Sequence, residues 1–199
     1  MTDQMIVQHC SPTLAGMKTG SMFPCSYTSR GELFDYIRRL NKRLVPRGLR
    51  VVPLRYTETK ALVYVFRPSN LKRDLSHEMA ISLLKEHGYR DTGMESSLSQ
   101  LIERFRQGGE FPHEVGIFLG YPPEDVCGFI RNKACSHKCV GCWKVYGDES
   151  EARKTFDKYK KCTQVYCSHW ERGKPIEQLA VAGWIREKKK SIDNQKTYC

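Results

Sequence analysis

No apolar run in this chain comes near the length that crosses a membrane. The longest, Ala61-Leu62-Val63-Tyr64-Val65-Phe66, falls far short of the roughly 20 residues a spanning helix needs. The opening residues, Met-Thr-Asp-Gln-Met-Ile-Val, lack the basic and apolar blocks of a secretory leader. Internal repeats and low-complexity stretches are missing too, and no linker is long enough to force a domain boundary. These absences point to a cytoplasmic protein folded around one core over residues 1–186, with no membrane partner.

Positive charge and cysteine, by contrast, are plentiful. Lys and Arg number 33 against 22 Asp and Glu, a formal charge of +11. Such a surplus suits nucleic acid or an acidic partner. The basic residues are spread along the whole length, however, and no known nucleic-acid reader motif is present. A basic interaction module is therefore the third reading, with nucleic acid disfavoured. The one dense run, Arg186-Glu187-Lys188-Lys189-Lys190, opens a basic polar tail over residues 187–199. Nine cysteines in a reducing compartment serve as core packing, metal ligands or reactive groups rather than a disulfide framework.

Periodicity gives the elements. Ser11-Pro12 reads as an N-cap followed by proline in the first turn, starting a helix through Leu14 and Met17. Leu33, Phe34, Ile37, Leu40 and Leu44 recur at helical spacing and stop at Pro46-Arg47-Gly48. Leu49–Arg55 and Ala61–Arg67 read as an antiparallel hairpin. Helices are expected over Asp74–His87, closed by Gly88, and over Glu95–Arg106. A buried strand is expected over Val115–Tyr121, a short helix over Pro123–Ile130 and a strand over Cys142–Tyr146. Glu149–Trp170 has the pattern of a long amphipathic helix, and Pro175–Ile185 that of a last one. The fold class is α+β, one domain of about four mostly antiparallel strands with flanking helices.

The densest chemistry lies in Phe111-Pro112-His113-Glu114-Val115-Gly116-Ile117-Phe118-Leu119-Gly120-Tyr121-Pro122-Pro123-Glu124-Asp125-Val126. With His9–Lys18, Tyr64–Pro68 and Trp143–Asp148, this segment resembles an uncharacterised bacterial family, domain of unknown function 3793. The resemblance covers nearly the whole chain. It implies a single-domain protein of this length and no particular activity.

Three constellations could carry chemistry. Cys10, placed before a helix N-terminus, would have its thiolate favoured by the helix dipole. His113, with Glu114 beside it, is the natural base, which makes a thiol-dependent site the leading reading. Cys10 packed under a helix and His113 pinning a turn is the plainer alternative. Cys135, His137, Cys139 and Cys142 form the second constellation. Three thiols and an imidazole within eight residues suit zinc or iron, so a metal- or iron-handling protein is the runner-up. Cys162, Cys167 and His169 are further candidate ligands. The third set is Lys18, Arg67, Lys144 and Tyr146. Arg67, held before Pro68, has the fork to meet a carboxylate or phosphate, and an anionic small molecule is the partner such a set would bind. Trp143 and Trp184 are read as core anchors.

Overall fold

The structure is a computed structural model and describes residues 1–182. Its centre is a three-stranded antiparallel sheet in the order β1-β3-β2, with β1 over Gly20–Ser26, β2 over Arg50–Tyr56 and β3 over Lys60–Phe66. Gly20 pairs with Phe66 and Ser26 with Lys60, while β2 pairs with β3 through a bulge between Pro53 and Arg55. Pro24 and Pro53 both fall on edge strands, where a missing N–H costs no central ladder bond. The strand between them contains no proline and is the longest apolar run of the sequence.

That run is apolar because β3 is covered on both faces. Ala61, Val63 and Val65 face a cluster shared with α1 (Asp3–Leu14) and α2 (Arg30–Leu44). Tyr64 and Phe66 face a second cluster built from α3 (Pro68–Leu75), α4 (Glu78–Glu86) and α5 (Met94–Gln107). The second cluster also takes in α6 (Val115–Phe118) and α7 (Pro123–Arg131). A two-stranded hairpin, β4 (Cys139–Val140) with β5 (Lys144–Val145), leads into the long α8 (Glu149–Glu171) and the short α9 (Ile176–Leu179). The α+β class, the β2–β3 hairpin and the long helix agree with the sequence reading.

Three local expectations fail, and one strand went unread. The first helix starts at Asp3, with Thr2 Oγ1 accepting from Met5 N at 3.3 Å, and carries Pro12 inside its last turn. Ser11 is therefore no cap, and its hydroxyl donates back to the Val7 carbonyl at 2.5 Å. Val115–Tyr121 is not a strand: Val115–Phe118 make one helical turn, buried throughout. A short apolar run has no period that separates the two conformations. The helix expected over Asp74–His87 is two helices, α3 and α4, because Pro68 starts the first and His77 caps the second through Nδ1. Strand β1 has no clean alternation and was not legible. Of Pro175–Ile185, only Ile176–Leu179 is helical before residue 182; Trp184 and the 187–199 tail lie outside the described residues. Among the described residues, no helix is long and apolar enough to cross a membrane.

Candidate functional site

The Phe111–Val126 segment wraps a cavity of about 290 Å³ between α6, α7 and the β4–β5 hairpin. Pro112 starts the turn, its carbonyl accepting from Val115 N at 3.0 Å. The turn projects His113 outward and Glu114 inward. The His113 ring lies against Phe111 and Phe129, with centroids 5.4 and 4.9 Å away. Its nitrogens have no protein hydrogen-bond partner among the described residues, and the ring lines the cavity. Gly116 sits deeper. A Cβ there would come within 2.7 Å of Val126 Cγ2, so glycine is what lets α6 close on α7.

The opposite wall comes from the hairpin. Trp143 stacks on Tyr121 at 4.9 Å and meets Phe156 edge-on at 4.6 Å. Asp125, 3% exposed, holds this wall in place. Its carboxylate accepts from Trp143 Nε1 at 2.6 Å and from the backbone N–H groups of Tyr146 and Gly147 at 2.7 Å each. Three donors keep a buried carboxylate satisfied without a cation. The sequence reading gave Asp125 no role beyond its place in that segment, and took Trp143 only as a core anchor. The sole sequence signal for either was its place in the Phe111–Val126 run or in the Trp143–Asp148 segment.

Lys144 also lines the cavity. Its ammonium donates to the Ala134 carbonyl at 2.8 Å and lies 5.9 Å from the Phe129 ring. Tyr146 points the other way, into the loop before β4, where its hydroxyl and His137 Nδ1 are buried with no hydrogen-bond partner among the described residues. Their rings meet edge-on at 6.5 Å. The same loop holds Lys133, Ala134 and Ser136 at positive φ (48°, 63° and 57°), a left-handed conformation that non-glycine residues adopt at a cost.

The other sequence candidates are redistributed. Cys10 lies in the C-terminal half of α1, away from any helix N-terminus, and is 0% exposed. Burial pushes its thiol far above the ordinary range, with Lys18 opposing weakly. Cys10 packs in the cluster on the α1 side of the sheet, whereas His113 stands beside the α6–α7 cavity on the other side, so the two are not brought together. Glu114, 1% exposed, is a structural carboxylate: it pairs with Arg104 Nε at 2.8 Å and accepts from the Tyr89 hydroxyl at 3.1 Å.

Arg67 is not aimed at a ligand. Its Nε donates to the Thr13 carbonyl at 2.7 Å, and its Nη2 donates to those of Leu14 and Val181 at 2.6 and 2.8 Å. The guanidinium caps the C-terminus of α1, a helix with no basic residue in its own last turn. The metal reading gains no support from the geometry. Among the described residues no three His, Cys, Asp or Glu side chains are placed to share an ion. Cys139 packs with Val145 and Ala152, Cys142 lines a cavity with Lys18, and Cys135 is exposed beside Tyr146. The three thiols thus sit in three different surroundings. Cys167, proposed as a further ligand, packs instead against the α1-side core.

A family model described as protein of unknown function (DUF3793) matches residues 6–180. No curated protein and no solved structure matches the chain.

Proposed function

The chain belongs to the DUF3793 family, whose description carries no activity, and from that premise we propose that it binds a small, flat, largely apolar ligand bearing one acidic group. What carries the reading is the cavity of about 290 Å³ with His113 and Lys144 at its wall and an aromatic lining of Phe129, Trp143 and Tyr121. Its size lies near the lower end of the roughly 300–1,000 Å³ usual for small-molecule sites. Few polar groups in an apolar concavity are what orient such a ligand. Asp125 is consumed by its three donors and offers nothing further. Lys144 uses one ammonium hydrogen on Ala134 and keeps the rest for an acid. The thiol-dependent version of this site has lost its nucleophile, because Cys10 is buried elsewhere.

Titration with 1-naphthoate, followed through tryptophan fluorescence, tests the proposal. Saturable binding is expected, weaker for 1-naphthamide and weaker again in Lys144→Met and His113→Ala. Absence of saturable binding, or equal binding by both variants and both compounds, would overturn it.

A further inference from the structure

Lys18 stands in the link between α1 and β1, half-buried, with its backbone N–H on the Pro12 carbonyl at 3.1 Å. Its ammonium lies 5.1 Å from the centroid of the Tyr121 ring. The side chain forms part of the wall of two cavities, of about 350 and 380 Å³, which also share Tyr159. Neither belongs to the aromatic site described above; the first shares only the Tyr121 ring with it, and the second shares no residue.

Among the described residues no carboxylate pairs with this amine. Asp74, which lines one of its cavities, is already bound by the Thr19 hydroxyl and by Arg73 at 2.9 Å. A half-buried ammonium without a counter-ion is disfavoured, and burial lowers the Lys18 pKa against the opposing pull of Cys142 and Cys10. A larger share of the side chain is thus the neutral, nucleophilic amine. Around it, Arg73 and His77 line one cavity, and His9 and Lys160 the other.

We infer that Lys18 is a carbonyl-reactive amine, the nucleophile of a second site that takes a small aldehyde or keto compound carrying an anionic group. The amine nitrogen attacks the carbonyl carbon, the C=O π pair moves to oxygen, and a proton shifts from nitrogen to that oxygen. Loss of hydroxide together with a proton releases one water and leaves the C=N bond. No oxidant or reductant is involved, and hydrolysis reverses the step. Tyr121 and Tyr159 are each pushed up to about 12, mainly by burial, so at neutral pH they carry hydroxyl protons. The Tyr159 hydroxyl, which donates to the Met17 carbonyl at 3.3 Å, borders both cavities and is a proton source for the departing oxygen. The basic residues on the rims meet the anionic group.

The test is limited labelling of the full chain with glyoxylate and cyanoborohydride at neutral pH, with peptide mapping. Burial leaves more free amine at Lys18 than at a solvent-exposed lysine, so Lys18 should react severalfold faster than the exposed Lys72 and Lys158. The fast adduct should vanish in Lys18→Arg and persist in Cys142→Ser, because a hemithioacetal at Cys142 is not fixed by the reductant. Propanal should show a smaller preference for Lys18 than glyoxylate does. Reaction at Lys18 no faster than at Lys72 and Lys158 overturns the assignment. An equal or greater preference with propanal overturns the anionic part of it. If Lys18→Arg does not fold, the rates in the unsubstituted chain decide alone.

Discussion

Arg67 brings a guanidinium to 3% exposure and meets four carbonyl oxygens, those of Thr13, Leu14, Arg47 and Val181, from three stretches of chain. The planar fork matters here as much as the charge, since Nε and Nη2 reach different oxygens. Arg67→Lys keeps the charge and loses the fork. It should destabilise by about 2–4 kcal/mol, the cost of charged hydrogen bonds lost with their acceptors left buried. Urea unfolding would measure this as a lower midpoint with an unchanged slope. Cys10 gives the opposite outcome from the one its sequence neighbours suggested. With iodoacetamide on the native protein, Cys135 and Cys142 should alkylate first and Cys10 last, only after unfolding. Rapid native alkylation of Cys10 would contradict the buried position. At this scale the sequence showed which residue types can carry chemistry, but not what each one meets. Arg67, Cys10 and Glu114 all have partners far along the chain, and no local spacing encodes those.

Individual elements were legible where a face or a stop signal repeats, and less so where burial is complete. The α5 and α8 patterns could be read because one face meets solvent, and the β2–β3 hairpin because two β-like runs flank a short polar link. The α6 turn could not, since Val115–Phe118 are buried on every side. Its packing against α7 rests on Gly116, and Gly116→Ala should cost about 1–3 kcal/mol by overpacking against Val126. The same change should weaken naphthoate binding, because the cavity wall moves with it. Helix α9 is held differently. Arg43 bonds Glu177 at 2.6 Å and Asp3 at 2.7 Å, joining α9, α2 and α1. The Arg43 hydrogen bond holds the Glu177 carboxyl below its ordinary pKa. A lowered folded pKa means stability present above the unfolded value and lost as pH falls through the folded one. Glu177→Gln should therefore flatten the acid side of the stability profile, followed by urea midpoints from neutral pH downward, and leave the alkaline side unchanged.

Over the whole molecule, the two main apolar clusters share one strand. β3 presents Val63 and Val65 to one cluster and Tyr64 and Phe66 to the other. Tyr64 also donates its hydroxyl to the Phe118 carbonyl at 2.5 Å, tying the sheet to the cavity turn. Neither cluster can lose the strand alone, so unfolding should be a single transition. Trp143 reports the hairpin beside the cavity and Trp170 the α1 side. Single-tryptophan variants retaining one or the other should give coincident midpoints, and separated midpoints would show two folding units. The architecture class was legible because composition and period set it. The strand order was not, since it depends on pairings across the chain.

The Arg67 clamp also bears on the order in which the chain can assemble. The final carbonyls of α1 accept from a residue 53 positions later, and that same residue reaches Val181, 114 positions further on. The apolar side of α1 meets α8 and α9, among the last described elements to be synthesised. During translation, then, α1 must wait 53 residues for the arginine that caps its final turn, and until α8 and α9 have been made for the last of its cover.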